Sequence, residues 1–269
     1  MFIAQWGGGI GMAKSETSKA KSAEKEAEPE QPQFMDELSG AGFENLGASD
    51  FQIPFLRVLQ PLSPQVLDGD EHVEGAKAGY FFNSLTNKVY GPEINVIPLK
   101  CITEWLIWGP NRGPLKNRVP VGSIPSVGDA FSKLTTPEGD DIVETMTVFL
   151  LIEGHIEEGP VAFPLSKTNL KHAKKLNTML HATFLPSGKR APYFSSVWQL
   201  KSSVNKNEKG TWYSLGVKGQ TNIERKRWIT AEEYGKAVQP AVELLKDESK
   251  LKLLGAPDDA RQIEGETAF

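Results

Sequence analysis

The sequence predicts an α+β fold, with a curved, mainly antiparallel sheet or an OB-like barrel and flanking helices. Runs rich in β-branched and aromatic residues recur between polar or Gly/Pro turns from residue 79 to residue 217. An amphipathic, lysine-rich helix interrupts them at 167–182, and a capping box at Thr230-Ala-Glu-Glu233 opens a second helix toward Leu254. Roughly seven or eight strand candidates stand where a plain OB barrel takes five, so sheet and barrel both stay open.

Along the chain, residues 1–41 hold almost no large apolar side chain between 13 and 33, and are expected to stay disordered. Gly7-Gly8-Gly9-Ile10-Gly11 just before Met12 fits a translated ribosome-binding site with Met12 as the natural start, or a flexible Gly-rich leader. A single domain is expected over 42–254. Within it, 79–83 and 88–99 form a hairpin around Thr86-Asn87, and Glu93-Ile-Asn-Val-Ile97 alternates as a half-buried strand does. Residues 101–108 continue past Pro98 or form another strand, and a Gly/Pro-rich loop at 109–122 follows. Thr145–Ile152 reads as a buried strand and 160–164 as a short one. In the helix at 167–182, Leu170, Ala173, Leu176 and Leu180 share a face. Strands at 193–204 and 211–217 are joined by the turn 205–210. Pro240 kinks or breaks the last helix, and an acidic tail occupies 255–269.

The 269 residues carry 30 Lys+Arg against 34 Asp+Glu, a net charge of −4 that hides a strong segregation. Residues 1–50 sum to −5, residues 51–160 to −6 and residues 231–269 to −4, whereas residues 161–230 sum to +11. A cationic block inside an acidic chain points to an anionic partner met by one surface. Cys101, the only cysteine, excludes an intrachain disulfide and a Cys-based zinc site. The four histidines show no metal-ligand spacing. No apolar run exceeds Val148–Ile152, far below a membrane span, and no secretory signal opens the chain, so an intracellular, reducing compartment is expected.

Enzyme signatures are missing. There is no Gly-x4-Gly-Lys-Ser/Thr, no His-Glu-x-x-His and no Gly-x-Ser-x-Gly. Asp140, Asp141, Glu144 and Glu153 are the carboxylates that a metal-dependent nuclease would gather, but the first two sit in a turn after Pro137-Glu-Gly139. The expectation is a non-enzyme without cofactor or metal.

The +11 block interleaves cations with aromatics. Lys189-Arg190 precede Tyr193-Phe194, Trp198 precedes Lys201, Lys209 precedes Trp212-Tyr213, and Arg225-Lys-Arg227 precede Trp228, with Lys206 a further cation of the set. Single-stranded nucleic acid needs this pairing, because phosphates take cations and unstacked bases take flat apolar faces. Lys171, Lys174 and Lys175 on the helix add charge. A second patch combines Trp108 with Arg112, Lys116 and Arg118 on the Gly/Pro loop. Core packing competes for each aromatic and a solvated face for each lysine. The expected site is this set, with Phe269 on the acidic tail as a partner contact.

Gly42-Phe-Glu-Asn, Asp50-Phe-Gln-Ile-Pro54, Leu59-Gln-Pro-Leu-Ser-Pro64, Gly75-Ala-Lys-Ala-Gly79, Asn83-Ser-Leu-Thr-Asn87 and Val96-Ile-Pro98 resemble a group of tailed-bacteriophage single-stranded DNA-binding proteins over about residues 42–110. The tail Asp258-Asp259, Glu264, Glu266, Phe269 is similar to that of phage replication single-strand binders. The resemblance implies a non-catalytic single-stranded DNA binder in the host cytoplasm, supporting phage DNA replication, recombination or transcription. It also implies a tail offered to a phage polymerase or recombination protein. It supplies no contact residues. A virion or scaffold protein is the remaining alternative, although no long repeat or heptad marks one. Self-association is compatible with the sequence.

Overall fold

In a computed structural model of the chain, the described residues are 52–110, 113, 115–120, 134–208, 210–217, 220–246 and 252–253. All belong to the unit Leu46–Phe269. The expected disordered segment 1–41, the Met12 start and the tail 255–269 lie outside them. In chain order the strands begin with β1 (Gln52–Ile53), β2 (Leu56–Val58), β3 (Phe81–Asn83), β4 (Val89–Gly91), β5 (Glu93–Trp108) and β6 (Leu115–Pro120). Then come β7 (Leu134–Thr135), β8 (Asp141–Ile152), β9 (Val161–Ser166) and the helix α1 (Lys167–His181). After it run β10 (Ser196–Lys201), β11 (Ser203–Asn207), β12 (Gly210–Ser214), β13 (Gly216–Val217), β14 (Gln220–Thr221) and β15 (Ile223–Trp228). The last elements are α2 (Ala231–Glu233), a π-helical turn Tyr234–Val238, α3 (Gln239–Leu244) and β16 (Lys252–Leu253).

The long antiparallel pair β5–β8 is the spine, in register from Val96↔Ile152 to Trp108↔Asp141. At one end β10 joins β5 and β15 joins β10, while β9 borders β8. At the other end β6 borders β5 and β7 borders β8. The path from β15 to β7 is open. Among the described residues the architecture is an antiparallel sheet with flanking helices, and no closed barrel forms. Pro98 explains the register shift between Pro98 and Lys100: it has no N–H for the ladder, and a bulge lets β5 continue as one strand of 16 residues.

Both faces of the sheet are covered at its centre, so β8 and the first half of β5 read as apolar runs where a one-sided sheet would alternate. In β8, Val148, Leu150 and Ile152 turn to a core shared with Ala173, Leu176 and Leu180 of α1. Phe149 and Leu151 turn to a second core closed by Ala237, Val238, Ala241 and Leu245. Each fully buried Leu or Phe contributes about 1.5–3 kcal/mol.

The expected helix at 167–182 is α1, and its stripe is the buried one. The capping box at Thr230 forms: Glu233 N–H donates to Thr230 Oγ1 at 3.1 Å, and Thr230 N–H donates to the Glu233 carboxylate at 2.7 Å. Pro240 does not break the helix but follows a π-turn, and α3 ends at Leu244. Residues 252–253 correct the helix expected to Leu254, since they pair as a strand in parallel with β1. The expected hairpin around Thr86-Asn87 is β3–β4. Asn87 sits at φ 55°, which Asn tolerates, and Asn83 Oδ1 accepts from Leu85 N–H at 2.9 Å. The run 193–204 divides into β10 and β11, and β11 pairs with β12 from Ser203↔Ser214 to Asn207↔Gly210.

Candidate nucleic-acid interface

The outer face of α1 carries Lys171, Lys174 and Lys175, because its inner face is spent on Ala173, Leu176, Leu180 and His172. His172 ties the helix to β14, its Nδ1 lying 2.9 Å from Thr221 Oγ1. Burial, with Lys171 and Lys175 alongside, lowers its pKa to about 4, so the imidazole is neutral near pH 7. Lys174 pairs with Glu144 at 3.1 Å. Lys171 and Lys175 have no carboxylate partner among the described residues.

Beyond α1 the chain makes a tight turn. Ala191 N–H donates to Thr183 O at 2.9 Å and Leu185 N–H to Lys189 O at 2.8 Å, with Gly188 at φ 78°. A bridge pairs Phe184 with Arg190. The turn leaves Phe184 54% exposed, with exposed Lys189 and Arg190 beside it and no acid paired with either among the described residues. Cations and an open aromatic face therefore meet in one short segment.

The other expected residues divide. Lys201 pairs with Glu93 at 3.4 Å, Lys116 with Asp140 at 2.6 Å and Arg118 with Glu104 at 3.6 Å. Arg227 bridges Glu153 and Glu233, whose carboxylates raise its pKa further. Lys206 is exposed, with no acid paired to it among the described residues. Arg225 lies 3.8 Å from the centroid of the Trp228 ring, and its Nε donates to Ser196 Oγ at 3.1 Å. Arg112 and Phe269 lie outside the described residues.

Two expected stacking residues are corrected. Trp108 is 3% exposed and Trp198 2%, so neither offers a face to a base; Trp198 packs in the core under α1. Trp198 lies in β10, which is covered on both faces, and Trp108 ends β5 between β6 and β8. Tyr193 is half-buried, and its hydroxyl donates to Asn177 Oδ1 at 2.6 Å. Burial first, then Cys101, pushes its pKa well above the usual phenol value. The Tyr213 ring packs on Gly79, where φ is 89° and a Cβ would come within 2.5 Å of ring carbons. Trp212 remains half-buried and lines a groove with Leu56, Gln60, Phe163 and Asn169.

The carboxylates weighed for a nuclease are dispersed. Asp140 holds Lys116, Glu144 holds Lys174, and Glu153 holds Arg227 and accepts from Asn95 Nδ2 at 2.7 Å. Among the described residues, the group with metal-ligand spacing is His155, Glu157 and Glu158. The Lys88 ammonium already serves that group, 2.8 Å from His155 Nδ1 and 2.5 Å from Glu158.

Phe184 and Trp228 stand outside the expected contact set, yet among the described residues they are the exposed large aromatics of the cationic block, with Tyr234 nearby. The readable signal was a Phe in a polar turn directly after a helix. A family model described as Pam3 phage gp34-like protein matches residues 21–241. The chain belongs to that family. Membership supports the phage part of the resemblance without reaching to single-strand binding. No curated protein and no solved structure is significantly similar to the chain. Among the described residues no helix is long and apolar enough to cross a membrane.

Proposed function

We propose that the protein binds single-stranded DNA without catalysis and largely independently of sequence, through the outer face of α1 and the turn that follows it. The observation that carries this reading is the exposed Phe184 bridged to Arg190 beside Lys189, with Lys171 and Lys175 on the preceding helix. Cations without acid partners neutralise phosphates and release counterions, and an open aromatic face stacks an unpaired base. A duplex hides its base faces, so Phe184 favours the single strand. The ion pairs of Asp140, Glu144 and Glu153 lend nothing to a nuclease.

In this reading the protein supports phage DNA replication, recombination or transcription in the host cytoplasm. Its acidic tail, ending in Phe269, engages a polymerase or recombination protein. Fluorescence anisotropy with labelled single-stranded and duplex oligonucleotides at matched salt tests it. The single strand should bind more tightly and stay intact in Mg²⁺. Equal binding of the duplex, or cleavage of the strand, would overturn the reading.

A further inference from the structure

Strand β15 reads Ile223-Glu-Arg-Lys-Arg-Trp228, and its outer edge pairs with no strand among the described residues. Ile223 points into the core under α1. Arg225, two positions on, follows it to that face, where its Nε donates to Ser196 Oγ at 3.1 Å. Strict alternation would send Trp228 to the opposite face, because i and i+3 diverge in a regular strand. The register with β10 slips at this point: Val197 faces Arg227 and Trp198 faces Arg225, so Lys226 is an extra residue. A bulge of this kind re-aims the side chains beyond it. Arg227 goes to the face of Val197 and the C-terminal helix, where it meets Glu153 and Glu233. Trp228 returns to the face of α1, opposite Ser196. The bulge thus brings Arg225 and Trp228 together. The guanidinium lies 3.8 Å from the centroid of the indole and covers one side of it, yet the ring is 36% exposed and belongs to none of the core clusters. The end of α1 reaches the same region, since Asn177 Nδ2 donates to Cys101 Sγ at 3.4 Å and accepts Tyr193 through its Oδ1 at 2.6 Å. Ser196 follows Arg190, the bridge partner of Phe184, by six positions, so roughly 20 Å of chain at most separates them. The exposed rings of Phe184 and Trp228 stand within reach of one short strand.

We propose that the Trp228 indole, backed by Arg225, is a second stacking platform for an unpaired nucleobase, an inference that rests on the single-strand reading above. The base stacks on the ring surface that Arg225 leaves open. From there the strand runs to Phe184, with Lys189 and Arg190 meeting its phosphates, so the basic surface after α1 continues onto the free edge of the sheet. A flat apolar face gains by stacking on any base, whatever the sequence. Arg227 takes no part, because the same bulge turns it to the other face.

The test measures, by anisotropy, a mixed-sequence oligonucleotide and an abasic strand of equal length against wild type, Trp228→Leu, Trp228→Phe and Phe184→Ala. A melting curve precedes each measurement. Trp228→Leu keeps apolar bulk but loses the flat face. It should bind the base-bearing strand about fivefold or more weakly than wild type, the effect of one lost stacked base, and the abasic strand unchanged. Trp228→Phe keeps a ring and should bind close to wild type. A folded Trp228→Leu that binds the base-bearing strand like wild type, or weakens equally on the abasic strand, overturns the second platform; with Phe184→Ala weakened, the single-strand reading still stands. A wild type that binds neither strand overturns both. Should Trp228→Leu not fold, fluorescence decides: the oligonucleotide should quench tryptophan emission more in wild type than in Trp228→Phe, and equal quenching overturns the platform.

Discussion

Phe184 and Arg190 are paired across a single antiparallel bridge that closes the turn after α1, and this pairing holds an apolar ring in the open beside two cations. Nothing in the core needs that ring. Phe184→Ala should therefore leave the melting temperature within about 1–2 °C of wild type, because exposed substitutions change stability little. Affinity for single-stranded DNA should fall by about 1–3 kcal/mol with the salt dependence kept, because stacking releases no counterions. Normal binding by the folded variant removes Phe184 from the interface.

The cations should separate by their partners. Lys171→Ala, Lys175→Ala, Lys189→Ala and Arg190→Ala should each flatten the plot of log K against log salt by roughly 0.7 units, one phosphate contact on a single strand. Arg227→Ala should leave that slope alone, because its charge is held by Glu153 and Glu233. A slope that responds to Arg227 and not to Lys189 would place the strand on the opposite part of the sheet.

Trp198 gives the contrasting result. At 2% exposure in the core under α1, Trp198→Ala should lower unfolding stability by about 3–5 kcal/mol. Urea denaturation measures this. A stable Trp198→Ala with weakened binding would mean that the ring reaches DNA after all.

His172 predicts acid sensitivity. Its folded pKa, about 4, lies below its ordinary 6.5, chiefly through burial, so the unfolded chain takes up the proton first. Stability should therefore fall as pH drops from about 6.5 toward 4, and should not change through this group above 6.5. Unfolding curves across that range should be flatter in His172→Gln than in wild type. Parallel curves would count against a buried neutral imidazole.

Glu233 acts lower on the pH scale. The hydrogen bonds from Arg227 first, then those from Thr230, hold its carboxyl down to about 2 against an ordinary 4.5. The resulting stabilisation is present above about pH 4.5 and is lost as the pH falls toward 2. Thr230→Ala removes one arm of the capping box and should cost about 0.5–2 kcal/mol at neutral pH, read by thermal unfolding. No loss would show that the cap is not needed to hold the helix on the sheet.

Local pattern determined much of this protein by itself. The spacing of Ala173, Leu176 and Leu180 set α1, Thr230-Ala-Glu-Glu233 set the start of the last helix, and Asn83 with Asn87 set the β3–β4 turn, because each signal is complete within a few residues. The charge segregation also reads directly from the chain. Tertiary structure alone decided which side chains of the +11 block face outward. Trp198 and Phe184 look alike in sequence, each an aromatic near a lysine. One lies in a strand covered on both faces by α1 and the C-terminal helix, and the other in a turn that no described residue covers. The same holds for Lys189 and Arg227: the acids that neutralise Arg227 come from Glu153, 74 positions away in sequence, and from the cap at Glu233. Burial and ion pairing depend on contacts between distant segments, which no local spacing encodes, and those contacts decide which cations and aromatics remain for a partner.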